Sequence, residues 1–134
     1  MKLEIVTPEA KTFSDDVDTV VVPGSEGEMG ILPSHAPLVS ALKPGELRYT
    51  KDGEETALAV GNGIVEVGLQ HVSVLTDLAI GESDIDEDAV QKALERAEKS
   101  LEDELGDEDR AAIEEAIMKS VAMLEVKRRR GGKR

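Results

Sequence analysis

The first part of the chain alternates apolar and polar residues, the pattern of β-strands that bury one face. Short apolar runs recur up to Ile80, and turn residues such as Pro44-Gly45 and Asp52-Gly53 separate them. Because no helical period lies between these runs, we expect hairpin connections and mainly antiparallel sheets. The predicted strands are Leu3–Val6, Thr19–Val22, Leu38–Leu42, Glu46–Thr50, Thr56–Val60, Ile64–Val67 and Val72–Leu75.

The pattern changes to a helical period after Ile80. Apolar residues recur three or four positions apart from Val90 to Leu105, and a second apolar stripe runs from Ile113 to Leu124. Gly106 lies between the two stripes and is expected to stop the first helix in a left-handed conformation. The candidate caps at the start of that helix are Ser83, Asp84 and Asp86.

These patterns predict a β-sandwich or flattened barrel in residues 1–82, followed by a C-terminal α-helical hairpin in residues 83–126. The stripes of the hairpin are rich in alanine, so they bury little apolar area and the hairpin is expected to dock and undock. Residues 127–134 contain only Gly, Lys and Arg, and they are predicted to form a basic tail that is disordered when unbound.

Composition narrows the classes of function. The chain has no cysteine, and its aromatic residues are Phe13 and Tyr49, so nucleic-acid binding through stacked bases is not expected. A net charge of −13 disfavours polyanion binding by the main body. Solubility and a high-salt habitat both explain this acidity, and the sequence leaves both open. Because no apolar stretch is long enough to cross a membrane, we expect no direct lipid insertion.

Segment 23–33 combines regularly spaced glycines with apolar residues in a predicted surface loop. A phosphate-binding loop is disfavoured, because the segment lacks the Lys-Ser/Thr ending and because Glu26 and Glu28 would repel phosphate. Met29 and Ile31 beside these charges fit a contact surface better than a solvated turn.

No group of residues in the sequence supports catalysis. His35 lies between Pro33 and Pro37, and it is predicted to be a structural or interface residue because no cysteine or well-placed serine is available for it to activate. The acidic cluster at residues 84–88 does not match a calcium loop, and stabilisation of a helix start explains it. The chain is therefore predicted to be no enzyme and to hold no metal or cofactor.

Several stretches together resemble the epsilon subunit of F-type ATP synthases. They are residues 3–9, 23–38, 43–48, 63–67 and 72–77, and the run Gly-Ile-Leu-Pro-x-His-Ala-Pro at residues 30–37 is the most specific. The resemblance extends over residues 1–126. It implies a flattened sandwich of ten strands, a two-helix domain, and a non-catalytic role in coupling ion-driven rotation to ATP synthesis.

The resemblance also implies partners and a location. In that family the subunit lies at the foot of the central stalk, between the gamma subunit and the ring of c subunits, peripheral on the cytoplasmic face of the bacterial inner membrane. The loop of Glu28, Met29, Gly30 and Ile31 is accordingly expected to contact the c ring. His35 is expected to lie near gamma.

In many bacterial members of this family the C-terminal helices extend into the catalytic head of alpha and beta subunits and inhibit ATP hydrolysis. The resemblance assigns contact with beta to the bases Lys119, Lys127, Arg128, Arg129 and Arg130, and a solvated tail is the alternative. A different class of function also remains open at this stage, namely an acidic adaptor protein whose basic tail binds an anionic partner.

Some family members bind ATP on the folded helices through an Ile/Leu-Asp-x-x-Arg-Ala motif. The matching stretch here, residues 85–90, lacks the Arg-Ala pair, and only Asp86 and Arg96 stand at positions that resemble the family's site. Because many carboxylates surround these positions, ATP binding is expected to be absent or weaker than millimolar.

Overall fold

The computed structural model describes residues 1–9 and 12–131, without the side chains of residues 12, 130 and 131. Strands make up the first part and helices the second. The strands are β1 Lys2–Val6, β2 Thr12–Asp16, β3 Thr19–Gly24, β4 Gly27–Ile31, β5 Leu38–Leu42, β6 Gly45–Lys51, β7 Glu54–Val60, β8 Gly63–Val67, β9 His71–Thr76 and β10 Ala79–Gly81. A short 3-10 turn, Glu82–Asp84, precedes the helices α1 Glu87–Ser100 and α2 Asp107–Gly131.

The strands form one curled sheet that folds into two layers. One layer has the order β10-β7-β6-β3-β4 and the other β5-β8-β9-β1-β2. The layers join where Gly24 of β3 pairs with Leu42 of β5. The predicted flattened sandwich is therefore confirmed.

One strand pair departs from the antiparallel arrangement. β1 and β9 run parallel, with Ile5 opposite Val74. A hairpin imposes antiparallel pairing only on strands that are consecutive in the chain, whereas most of the domain separates β1 from β9. The sheet is consequently mixed, although its other pairs are antiparallel.

The inner faces of both layers form the hydrophobic core. It consists of Val, Ile and Leu side chains from alternate strand positions, as the composition predicted. Phe13 and Tyr49 stack against each other beside this core, with ring centroids 5.2 Å apart. The largest fully buried side chains on the strands are Leu3, Ile5, Val20, Val22, Ile31, Leu47, Val60, Val65, Val72 and Val74.

The sequence pattern does not predict β2, β4 and β10. Strand β4 matters most, because residues 27–31 were expected to form part of a loop. Glycine has low strand propensity, but a tight turn at Ser25-Glu26 folds this segment back along β3, and Gly27 adopts a φ of 125° there. The predicted contact loop is instead a strand paired on one side with β3.

The helices cover one outer face of the sandwich. Helix α2 packs on β6 and β7, and α1 packs on α2. Val126 of α2 is fully buried and clusters with Ala57, Ala59 and Ile85, and the two alanines of β7 allow the helix to approach closely. No residue of α1 is fully buried. The hairpin is therefore attached to the sandwich mainly through α2.

The start of α1 agrees with one predicted cap, whereas its end differs from the prediction. The carboxylate of Asp86 accepts a hydrogen bond of 3.1 Å from the amide of Ala89 and caps the helix. The helix ends at Ser100, whose hydroxyl donates to the carbonyl of Arg96. Beyond it, the amides of Leu101, Glu102 and Asp103 donate to carbonyls three residues back instead of four, so the α-helix stops and Leu105 lies in the connection between the helices.

The expectation of a left-handed stop at Gly106 is wrong, because its φ is not positive. Its carbonyl instead accepts the amide of Arg110 at 3.0 Å, the first bond of α2. Helix α2 continues past Val126 to Gly131. Residues 127–131, the first part of the tail that was predicted to be disordered, are therefore helical. Residues 132–134 lie outside the described part of the chain.

Substituting Gly63 with alanine should destabilise the sandwich, because an added Cβ would collide with the backbone carbonyl of Leu75 on β9. We expect a loss of about 1–3 kcal/mol in the free energy of unfolding, measured by urea denaturation. The matched control is Gly30→Ala on β4, where a Cβ would meet no atom within 4 Å. That variant should be as stable as the parent or slightly more stable. Equal stability of the two variants would contradict this account.

Candidate interaction surfaces

The predicted c-ring contact lies on strand β4. This strand pairs with β3 on one side, and its other edge is unpaired among the described residues. Glu28 and Gly30 are exposed, whereas Met29 is half-buried and Ile31 is only 1% exposed. The side chain of Ile31 therefore anchors β4 to the core and is not available to a partner. A glycine inside a strand costs stability, and no atom of the described residues lies close enough to require one at position 30. Such a glycine is typical of a place where another backbone approaches closely.

His35 lies in the loop between β4 and β5, and hydrogen bonds hold this loop in place. Its amide donates to the carbonyl of Leu32 at 3.2 Å, and its ring Nδ1 lies 2.7 Å from the carbonyl of Ala36. Ser34 adopts a φ of 67°, and its amide donates to the carbonyl of Leu69 in the turn after β8. The loop is thereby fixed against the turn between β8 and β9, and Leu32 and Leu69 are both exposed there.

Beside this loop, the outer face of one sandwich layer carries an apolar surface. We call Val6, Val39, Ile64 and Leu75 the apolar face; they lie on β1, β5, β8 and β9 and are 37%, 70%, 48% and 45% exposed. Ile64 pairs with Leu75, and Leu75 with Val6, so three of them form a row across neighbouring strands. An exposed cluster of this kind is typical of a protein interface.

Ion pairs connect α2 to the sandwich. We call three of them the docking pairs: Lys119 with Asp77 at 2.7 Å, Lys127 with Glu82 at 3.6 Å, and Arg129 with Glu46 at 2.8 Å. A hydrogen bond adds to them, because the side-chain amide of Asn62 donates to the carboxylate of Glu115 on α2 at 2.6 Å. The docked position of α2 therefore depends on charge as well as on apolar packing.

Two opposing effects act on the pKa of Lys119. Burial is the largest single cause and lowers it, but the hydrogen bonds to Asp77 and Glu115 and the negative charges of both carboxylates together raise the pKa above its usual 10.5. The folded state thus favours the ammonium form. Its contribution to stability is complete below pH 10.5 and is lost as the pH rises through the raised value.

The bases predicted to contact the beta subunit are engaged within the chain. Lys119, Lys127 and Arg129 form the docking pairs, and Arg128 bonds to Glu87 of α1 at 2.6 Å. The side chain of Arg130 lies outside the described part of the structure. Any partner of these bases must therefore displace carboxylates of the chain itself.

The structure does not bring together the two residues of the degenerate ATP site. Asp86 caps the start of α1, and Arg96 is exposed toward the other end of that helix. Ten residues of helix separate them by about 15 Å along the axis. Weak or absent ATP binding stays a prediction.

Two further observations concern membranes and metals. Neither α1 nor α2, as far as the described residues go, combines the length and the apolar character that a membrane span requires. Within residues 1–9 and 12–131, no group of three or more acidic or histidine side chains is arranged to hold a metal ion.

Comparison with known proteins identifies the family. A family model described as the β-sandwich domain of the ATP synthase delta/epsilon chain matches residues 1–82. The ATP synthase epsilon chain of Herpetosiphon aurantiacus is 40% identical over 126 residues, which is 94% of this chain and 93% of that protein. The epsilon chain of Desulforamulus reducens is 42% identical and covers 90% of this chain and 91% of that protein.

The chain belongs to the ATP synthase epsilon-chain family. It is therefore a non-catalytic subunit of ATP synthase, and the resemblance inferred from residues 1–126 is confirmed. This identity also decides against the acidic adaptor as the main function.

Solved structures agree with this epsilon-chain fold. A chain of the Euglena gracilis mitochondrial ATP synthase, from a structure with OSCP, F1 and the c ring, superposes with a TM-score of 0.74 at 26% identity. The match covers 92% of this chain and 78% of that one. A chain of the Tetrahymena thermophila mitochondrial ATP synthase, from its central stalk and c ring, has a TM-score of 0.68. At 14% identity it supports the fold alone; 95% of this chain and 96% of that one are covered.

Sequence reasoning missed two features of this epsilon chain. The apolar face was not recognised, although Ile64 and Leu75 each alternate with buried valines and so must point outward. The docking pairs join residues far apart in the chain, such as Glu46 and Arg129, and no local pattern indicates them.

Replacing Lys119 with glutamine should loosen α2, because it removes the pair with Asp77. We expect a loss of about 0.5–1 kcal/mol in the stability of the docked hairpin at pH 7, and a smaller difference above pH 10.5. Hydrogen exchange of the α2 amides measures this. The control is Lys92→Gln, an exposed base on α1. Indistinguishable exchange in the two variants would contradict the role of Lys119.

Proposed function

We propose that this epsilon chain is a central-stalk component that couples rotation of the c ring to ATP synthesis. The sandwich joins the gamma subunit to the c ring and transmits torque, while the helices regulate hydrolysis. The observation that carries the proposal is the apolar face, whose four apolar side chains stay exposed among the described residues. The subunit would lie peripherally on the cytoplasmic face of the bacterial inner membrane.

The gamma subunit is the proposed partner of the apolar face and of the adjacent loop with His35. A stalk that carries torque must not slip, so a rigid surface with apolar contacts suits it better than a mobile loop. The bonds from Ser34 to Leu69 and from His35 to Leu32 give the loop this rigidity. Removal of the apolar face from water would supply the binding energy.

The c ring is the proposed partner of β4 through Glu28, Met29 and Gly30, with Ile31 supporting the strand from inside. Gly30 leaves space for a polar loop to approach the strand, and Glu28 offers it a carboxylate. These residues lie on one strand edge, whereas the apolar face lies on β1, β5, β8 and β9. One domain thus offers separate surfaces to the two partners.

The helices are the proposed regulatory element. Arg128, which pairs with Glu87 of α1, and Arg130 are further proposed contacts of the catalytic head. When α2 leaves the sandwich, Lys119, Lys127 and Arg129 become available to acidic residues of that head. Because the same bases stabilise the docked position, docking and inhibition exclude each other. A ligand needs about 5.5 kcal/mol of preference for one state to move such an equilibrium from mostly one state to mostly the other.

Introducing a charge into the apolar face should weaken binding to gamma. We expect Ile64→Asp to lower the affinity at least tenfold, because a carboxylate would be buried against apolar groups of the partner. A pull-down with purified gamma, quantified by titration, measures this. The control is Met118→Asp, which adds the same charge at a similarly exposed apolar residue on α2. If both variants bind gamma like the parent, the proposed contact is wrong.

Deleting residues 127–134 should raise ATP hydrolysis by the assembled catalytic head about two- to fivefold at low salt, because it removes cations proposed to bind beta. Deleting only residues 132–134 is the control, since it leaves Lys127, Arg128 and Arg129 in place. Hydrolysis that is unchanged by the longer deletion would contradict an inhibitory contact.

A further inference from the structure

Arg48 on β6 bridges two carboxylates that belong to different parts of the molecule. Its Nη1 donates to Glu28 of β4 at 2.9 Å and to Glu46 of β6 at 3.2 Å. Its Nε also lies 3.7 Å from Glu55. The hydrogen bond with Glu28 is the largest cause that raises the pKa of Arg48. Arg48 therefore connects the exposed edge of the sandwich with the face of β6 that α2 covers.

The second carboxylate in this arrangement also holds α2. Oε1 of Glu46 accepts a hydrogen bond from Arg129 at 2.8 Å, and the same oxygen accepts from Arg48. The side chain of Glu46 is only 8% exposed, so water screens its interactions less than those of an open surface pair. We call Glu28, Arg48, Glu46 and Arg129 the charge chain, because their signs alternate from β4 to α2.

The sheet register explains why these residues meet. Gly30 and Arg48 both pair with Val21 of β3, from opposite sides, so β4 and β6 lie one strand apart. On the other side of β6, Glu46 and Arg48 pair with Ala59 and Ala57 of β7. These small side chains leave room for α2 above the sheet. The outer face of β6 thus lies between the free edge and the helix.

The order of charges in the charge chain determines how Glu28 on β4 affects Arg129 on α2. Two guanidinium groups share one oxygen of Glu46, so they compete for its negative charge and repel each other. Glu28 compensates part of the charge of Arg48 and reduces this competition. Without that compensation, Arg48 would neutralise more of Glu46, and Arg129 would be held less tightly.

We propose that the charge chain couples the occupancy of the β4 edge to the docking of α2. A cationic group of a partner that pairs with Glu28 withdraws it from Arg48 and thereby loosens Arg129 and the end of α2. Contact of a partner with the β4 edge would then favour release of the helices from the sandwich. Naming the c ring as that partner rests on the proposed function, whereas the coupling within the chain does not.

Hydrogen exchange on the full-length chain tests the coupling. Glu28→Gln removes the charge and keeps the shape, and we expect the protection factors of amides 120–126 to fall about two- to fivefold. Glu26→Gln is the matched control, because it changes the net charge equally in the same hairpin, where Glu26 is an exposed turn residue. Equal exchange in these two variants would overturn the proposal.

A second experiment repeats the Glu28→Gln substitution in the Arg129→Gln variant. It distinguishes coupling through the charge chain from a general effect of charge. In Arg129→Gln the last member of the charge chain is absent, so adding Glu28→Gln should change the protection of α2 no further. The same fall in protection in both backgrounds would show that Glu28 acts without Arg129, and this would overturn the proposal.

Binding to c-ring-containing membranes is measured on the same variants. If Glu28→Gln loosens α2 but binds these membranes like Glu26→Gln, the coupling stands and the proposed c-ring contact of Glu28 fails. If it binds less well but exchanges like Glu26→Gln, the contact stands and the coupling fails.

Discussion

Burial of the inner face of a curled sheet is the constraint on which the rest of this structure depends. Both layers use that face for one core of Val, Ile and Leu, so neither layer can cover its own outer face. Helix α2 covers one outer face, on β6 and β7. The other carries the apolar face around Ile64 and Leu75, which remains exposed among the described residues. The molecule therefore covers one outer face with its own helices and leaves the other exposed.

The contact between α2 and the sandwich is suited to reversal. Charged pairs surround its apolar centre, which consists of Val126 with Ala57, Ala59 and Ile85. Partly exposed ion pairs contribute little and weaken with salt. Because Lys119 and Arg129 contribute to docking, their release is linked to undocking. The core of the sandwich does not include this contact, which forms a separate cluster on the outer face.

Much of the fold could be predicted from local patterns. The alternation around Val65 and Val74 identifies strands, and Asp52-Gly53 forms the predicted turn with positive φ at both residues. The patterns failed where pairing overrode propensity, as in β4, whose glycines suggested a loop. They also failed at Gly106, which starts α2 instead of stopping α1. Of the candidate site, the contacts of Glu28 and His35 stay predictions, and the burial of Ile31 was not predicted.

The sequence by itself determined seven of the ten strands, the helical hairpin and membership of the epsilon-chain family, because periodicity and motif spacing are local properties of the chain. Only the tertiary structure decided that β1 lies parallel to β9, that four apolar residues form one surface, and that Glu46 lies between Arg48 and Arg129. These features depend on which strands become neighbours when the sheet curls. That choice arises from packing between residues distant in the chain, which no local pattern encodes.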